Sequence, residues 1–357
     1  MVVTRDHEGI FLRAMRGLIE HLDSTRFDLS IVCAESGAKR LRAEIANANV
    51  TFLPVADNFP KWMETIRRGR FDLLYYWEVG SDPFNYFLPF LKLAPVQCAG
   101  WGTNYTTGVR QIDYYLSSTL VEPAEADGHY TEKLVRLSTL PTYQYRPKPP
   151  NPLKGREAFG LSDSLHVYYC PHNVRKFHPE FDPILGEILR RDPAAVLLIP
   201  KPQHEPLEAA LRSRFSRTLA DVVDHIRFVP WIPYPDYLNL SSLADVLLDP
   251  LHYGGGVTSY DGLAMGTPIV TLPSAYQRGR YTYGCYQKMQ MLDCVASSPE
   301  HYVELALRLG SDRNYRRAAA ERIAVANEIL FEDLDAVRQH ERFFAQAIEA
   351  ERRCQEE

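Results

Sequence analysis

The sequence predicts an α/β protein of two doubly wound, Rossmann-like domains, with a last helix that packs back on the first domain. Three observations carry this expectation. Short apolar strands alternate with amphipathic helices along nearly the whole chain, as parallel βαβ units require when helices cover both faces of a sheet. A polar, proline-rich tract at residues 145–154, YRPKPPNPLK, divides the strands into two series and reads as a semi-rigid linker. The run DVLLDPLHYGGGVTSYDGLAMGTPIVTLP at residues 245–273 has the strand, glycine loop, helix, strand order of a phosphate-binding unit.

The first domain is expected over residues 1–150. Met1, Val2, Val3 and Thr4 look like the end of a first strand whose start is missing, because a helical pattern of Phe11, Leu12, Met15, Leu18, Ile19 and Leu22 follows at once. Further strands are expected at 29–33, 50–53, 72–76 and 95–98. The second domain, 151–332, should hold strands at 166–170, 196–199, 225–229, 246–248 and 269–272. Helices fall between them at roughly 181–190, 207–219, 235–240 and 258–265, and three more close the chain. The last, within 333–357, carries Leu334, Val337, Phe343, Phe344 and Ile348 at near-helical spacing and is long enough to reach the first domain. Two such domains facing a cleft would hold ligands at the carboxyl ends of their strands.

Composition narrows the function. With 357 residues, 45% of them hydrophobic and 24% charged, the chain can build two substantial cores. A net charge of −5, and no basic run interleaved with aromatics, argue against nucleic acid as a partner. Cys33, Cys98, Cys170, Cys285, Cys294 and Cys354 lie without CxxC or metal-type spacing, which suits reduced thiols in a cytoplasmic protein and shows no metal site. Neither a membrane span nor a signal peptide is readable.

The glycine run gives the first functional candidates. Gly254, Gly255 and Gly256 let the backbone approach a ligand with no Cβ in the way. The helix that follows offers unpaired amides and the positive end of its dipole, so an anion fits there. A plain glycine-rich surface turn is the competing reading.

These same residues carry a resemblance. LADVLLD (243–249) with GGGVTSYDGLAMGTPIVTLP (254–273) resembles the nucleotide-binding signature of the catalytic half of O-linked N-acetylglucosamine transferases and their SPINDLY-type relatives, glycosyltransferases of GT-B fold in family forty-one. YYCPHNVRKFHPEF (168–181), FVPWIPYPDYLNLSSLADVLLD (228–249) and APVQCAGWGTNYTTG before IDYYLSS (94–118) agree in order and spacing. The likeness runs from Asp6 and His7 to the last helix, and the tetratricopeptide array that precedes this half in many members is absent from these residues.

The resemblance implies roles that chemistry makes sensible. Lys176 falls at the phosphate-binding lysine, where a cation and oriented backbone dipoles can stabilise a leaving nucleotide diphosphate without a metal. Asn173 stands in place of the usual glutamine. Thr258 matches the second of two hydroxyls at the helix start, and the first is replaced by Val257. Gly256 stands where better-known members have a histidine, so the amides of Gly255 and Gly256 must carry more of the phosphate. Asp261 is expected at the ribose hydroxyls, the alternative being dipole compensation. Tyr237 matches a ring that stacks on uracil, or is half-buried core; Tyr234 replaces a lysine near the ribose. Arg280 either assists the phosphates or is a solvated charge.

In the first domain His7 resembles the histidine at the family's cleft and is the candidate base, against the alternative of an ordinary loop histidine. Glu78 is the alternative base, and Asn104, Tyr105 and Thr107 lie in a loop like one bordering the acceptor. The resemblance thus implies an inverting, metal-independent glycosyltransferase that moves a sugar, N-acetylglucosamine from a UDP donor in the first instance, to a hydroxyl acceptor such as protein Ser or Thr, with no cofactor beyond the nucleotide-sugar substrate. A non-catalytic nucleotide-binding module and a nucleotide-sugar epimerase of the same fold are the rivals.

Overall fold

The computed structural model describes residues 1–4, 7–46 and 49–356. Asp6, with which the family resemblance opens, lies outside the described residues. Contacts divide the chain into two units, one of Met1–Tyr145 with Phe331–Glu357 and one of Arg146–Leu330.

In the first unit, and among the described residues, seven strands form one sheet: β1 (Val2–Val3), β2 (Leu29–Ala34), β3 (Val50–Val55), β4 (Leu73–Tyr76), β5 (Val96–Ala99), β6 (Tyr114–Ser118) and β7 (Lys133–Leu137). Every pair is parallel, in the order β3-β2-β1-β4-β5-β6-β7. The two-residue β1 sits at the centre, Val2 opposite both Val32 and Tyr76, and it is buried because helices cover both faces. The strand β6 and the edge strand β7 are additional to the strands expected. Their residues, YYLSS and KLVRL, mix polar with apolar and lack the continuous apolar run of the central strands.

The helix Leu334–Glu356 packs in this unit, as the spacing of its apolar residues predicts. Phe344 lies edge-on to Tyr75 of β4 (6.1 Å) and Phe343 to Tyr114 of β6 (5.3 Å). Polar clamps fix its start: Gln339 Oε1 accepts from the Ser138 amide (2.7 Å) and Glu341 Oε1 from the Asp23 amide (2.8 Å). Leu334, counted with the apolar stripe, is exposed.

The second unit holds β8 (His166–Tyr169), β9 (Ala195–Pro200), β10 (Ile226–Val229), β11 (Val246–Leu248) and β12 (Ile269–Val270), all parallel in the order β10-β9-β8-β11-β12. The proline-rich tract is pinned here at its end, where the Lys154 amide donates to Asn239 Oδ1 (2.7 Å) and the Asn239 amide returns a bond to the Lys154 carbonyl (3.0 Å).

Both sheets reverse their winding once. In the first unit the chain leaves β1 on one side through β2 and β3, then returns on the other at β4; in the second it does the same around β8 and β11. The loops that leave the carboxyl ends of β1 and β4, and of β8 and β11, therefore diverge and open a crevice at each reversal point, the place where open α/β sheets bind ligands.

Candidate functional site

The crevice of the second unit is made by the loop after β8, with His172, Asn173 and Lys176, and the loop after β11, running from Asp249 to Gly256. The half-buried Lys176 joins them: its ammonium donates to the Gly254 carbonyl (2.7 Å) and lies 4.4 Å from the centre of the Tyr253 ring. Burial lowers the Lys176 pKa, and the Asp249 carboxylate works against that shift. A cation is thus held at the glycine loop by one carbonyl dipole, one ring face and one buried acid.

Asp249 and His172 were not anticipated, and they build the floor. Asp249, 2% exposed, accepts from the Gly255 amide (2.6 Å) and the Thr271 hydroxyl (2.7 Å). Burial pushes its carboxyl above the usual range while the Thr271 and Thr282 hydroxyls, the Gly255 amide and Lys176 pull it back. His172 is hydrogen-bonded through Nδ1 to Thr258 Oγ1 (3.2 Å), and its Nε2 lies 3.7 Å from Asp249 Oδ1. Burial, then the charge of Lys176, holds this imidazole well below its ordinary pKa, so it is neutral at neutral pH. The sequence signal for both was the polar residue that ends an apolar strand, as in VLLD and YYCPH.

Glycine is required at 255 for a steric reason. A Cβ there would come within 2.1 Å of Ser259 Oγ and 2.9 Å of His172 Cε1. Gly256 then caps the helix Val257–Ala264, whose first turn contains Val257 and Thr258. The Ser259 amide already donates to the Gly256 carbonyl (3.0 Å), so the amides of Gly256, Val257 and Thr258 are the donors that the helix start offers.

The remaining candidates have these positions. Asp261 is buried one turn into the helix and accepts from the Tyr234 hydroxyl (2.7 Å). Tyr234 stacks at 5.9 Å on Tyr237, so the nucleoside-side residues expected from the resemblance form one connected group with Asp261. Arg280 donates to the Ser274 carbonyl (2.9 Å) and lies over the Tyr283 ring (4.9 Å). The exposed Asn173 accepts through its side chain from the Arg175 amide (3.0 Å).

At the crevice of the first unit His7, after β1, meets Glu78, after β4: His7 Nδ1 is paired with Glu78 Oε1, and Ser81 Oγ lies 3.2 Å from the same nitrogen. The two residues offered as alternative bases are therefore neighbours. A carboxylate on Nδ1 fixes the imidazole and leaves Nε2 with the lone pair a base needs. The turn behind them is held by Asn85, 2% exposed, whose Oδ1 accepts from the Gly80 (2.8 Å), Ser81 (3.0 Å) and Asp82 (3.2 Å) amides. Gly80, at φ +91, takes a conformation that a side chain would strain. Of the acceptor-side loop, Thr107 is tied through its amide to the buried Glu132 (2.7 Å) and Tyr105 is exposed.

Comparison with known proteins agrees with this construction. The model described as Glycosyl transferase family 41 matches residues 148–335, just over half of the chain. The Arabidopsis thaliana protein described as "Probable UDP-N-acetylglucosamine--peptide N-acetylglucosaminyltransferase SPINDLY" is 27% identical over 229 residues, 61% of this chain and 24% of that protein. The SEC protein of the same plant, with the same description of its activity, is 28% identical over 231 residues, 62% of this chain and 23% of that protein. The chain thus spans about a quarter of the length of these curated relatives. Among solved structures, a mutant of the Thermobaculum terrenum O-GlcNAc transferase superposes with a TM-score of 0.81 at 24% identity, covering 98% of this chain and 68% of that one, and so shares the GT-B fold. With more than half of its residues matched by the family model, the chain belongs to glycosyl transferase family 41.

Proposed function

We propose that the chain transfers a sugar, N-acetylglucosamine, from a UDP donor to a hydroxyl acceptor, with protein Ser or Thr as the acceptor class. The observation that carries this reading is the Lys176 ammonium held against the glycine loop at the start of the helix Val257–Ala264. The diphosphate of the donor takes the amides from Gly256 to Thr258 and the charge of Lys176, the Gly255 amide expected to share in this being spent on Asp249 instead; Tyr237 and Asp261 serve the uridine. His7 Nε2 takes the proton of the acceptor hydroxyl as its oxygen attacks the anomeric carbon. The bond from that carbon to the diphosphate oxygen breaks, and the negative charge that develops there is stabilised by Lys176 and the amides, with no metal in the step. One base and no nucleophile make the transfer a single displacement, hence inverting. Glu78 orients His7 rather than replacing it. The unpaired cysteines support a reducing, cytoplasmic setting; no helix among the described residues is long and apolar enough to cross a membrane.

The test has two parts. Calorimetry with UDP in the presence of a chelator should show binding, and incubation with labelled UDP-N-acetylglucosamine and a peptide library should show label transfer by mass analysis. UDP binding that vanishes with the chelator and returns with Mg²⁺ would remove the metal-free account. UDP binding with neither transfer nor donor hydrolysis for any nucleotide sugar would leave the chain a nucleotide-binding module, the reading that the loss of side-chain donors at Gly256 and Val257 favours.

A further inference from the structure

The two loops that carry Lys176 and the glycine run also carry a group of side chains that the transfer step does not use. His178 and Glu180 follow Lys176 on the first loop, and His252 precedes Tyr253 on the second. We propose that His178, Glu180 and His252 bind one divalent transition-metal ion of the zinc class, which ties the two loops together at their exposed edge. Each residue offers one ligand atom, and the three atoms lie within 4.8 Å of one another. His252 Nε2 is 2.7 Å from Glu180 Oε2, and His178 Nδ1 is 3.9 Å from the same oxygen. Around a tetrahedral ion with bonds of about 2.0–2.1 Å, ligand atoms stand roughly 3.3–3.5 Å apart, so the gap from His252 to Glu180 opens by about 0.7 Å and that from His178 to Glu180 closes by about half an ångström. All three side chains are exposed and free to make that rotation.

Two features go beyond proximity. The Glu180 amide donates to His178 Nδ1 (3.3 Å), so that nitrogen is unprotonated, and the ion would displace this amide from its one lone pair. His252 has φ +66, a backbone conformation that residues with a Cβ rarely adopt, and in it the imidazole meets His178 edge-on with centroids 4.8 Å apart. The donor set selects the class of ion: two imidazoles and one carboxylate suit Zn²⁺, Co²⁺ or Ni²⁺ and not the all-oxygen cages of Ca²⁺ or Mg²⁺. Three protein ligands leave a position for water. The neighbouring rung between the same loops is the contact of Lys176 with Tyr253 and Gly254, so the ion would brace the walls of the crevice while taking no part in bond breaking. Sequence spacing hides the site, because 72 residues separate Glu180 from His252.

The test uses the whole chain, stripped with a chelator and free of nucleotide, so that its outcome does not depend on the donor reading. Co²⁺ titration should give visible d–d bands saturating at one ion per chain, displaced by Zn²⁺, and Zn²⁺ should raise the melting temperature. His252→Ala and Glu180→Gln should each weaken Co²⁺ binding by about tenfold or more and abolish the Zn²⁺-induced rise in melting temperature. Glu180→Gln is isosteric and exposed, and a circular dichroism melt of each metal-free variant shows whether it is folded. Absence of the bands, or the same Co²⁺ affinity in a folded variant as in the parent chain, overturns the proposal.

Discussion

The crevices of the two units sit at equivalent points of their sheets and are built in different ways. In the second unit Asp249, Gly254, Gly255, Thr258 and Asp261 come from one continuous stretch of 13 residues, joined by His172, Lys176, Tyr234 and Tyr237 from elsewhere. In the first unit the pair His7 and Glu78 comes from two loops 71 residues apart, and Asn85 rather than a glycine run fixes the geometry. The difference follows from what each must hold. A diphosphate can be bound by consecutive amides of a loop and a helix start, which are adjacent in sequence by construction. An oriented base needs a second side chain to hold it, and here the two follow neighbouring strands of the sheet, β1 and β4.

The comparison breaks first at His7. Replacement by Ala should lower turnover by roughly 10²–10⁴-fold while leaving UDP affinity nearly intact, since the residue belongs to the unit that lacks the glycine loop. Glu78→Gln should lower turnover by a smaller factor, because the imidazole has lost the carboxylate that orients it. Full activity in His7→Ala with loss in Glu78→Gln would instead make Glu78 the base. Steady-state kinetics on both variants decide between these.

A second test asks whether the two units resist acid separately. Burial lowers the His340 imidazole to about 4, against an ordinary value of 6.5, and its Nδ1 is 2.8 Å from the Ala336 carbonyl. Between those pH values the unfolded chain binds a proton that the folded helix Leu334–Glu356 does not, so stability is full above about 6.5 and is lost as the pH falls towards 4. The loss is about 3 kcal/mol at roughly 1.4 kcal/mol per pH unit. His340→Gln should flatten that slope in denaturant titrations; an unchanged slope would assign acid sensitivity to other groups, His172 under the glycine loop among them.

On the donor side, Lys176→Ala should weaken UDP binding by about 1.5–3 kcal/mol if its ammonium makes a charge-assisted bond to phosphate. An unchanged affinity in calorimetry would return Lys176 to a purely structural contact with Gly254. The smallest effect is expected from Thr258→Val, about 1 kcal/mol in UDP affinity for one neutral hydroxyl. A larger loss would mean that the Thr258 bond to His172 also holds the loop, which melting curves on the free protein would register.

The sequence was legible where function depends on consecutive residues. The strand Val246–Leu248 was placed to the residue and the helix Val257–Ala264 to within one, because the apolar run, the glycines and the Gly-Thr-Pro stop punctuate the backbone locally. It was poorer towards one edge of the first sheet, where β6 and β7 are short and mixed in polarity, and the pairing of β6 with β5 and of β7 with β6 decides what their composition does not. His172 and Asp249 went unremarked for a similar reason: a polar residue at a strand end has no local mark that tells a buried partner of a loop from a solvated one.

By itself the sequence determined the α/β alternation, the two series of strands, the glycine loop and the final amphipathic helix, because hydrophobic period, glycine freedom and proline rigidity act over a few neighbouring residues. Only the tertiary structure decided the rest. The reversal of strand order brings His7 to Glu78 and Lys176 to Gly254, while burial sets the charge states of His172, Asp249 and His340. Those outcomes depend on residues far apart in the chain and on the exclusion of water between them, and no window of neighbouring residues contains either.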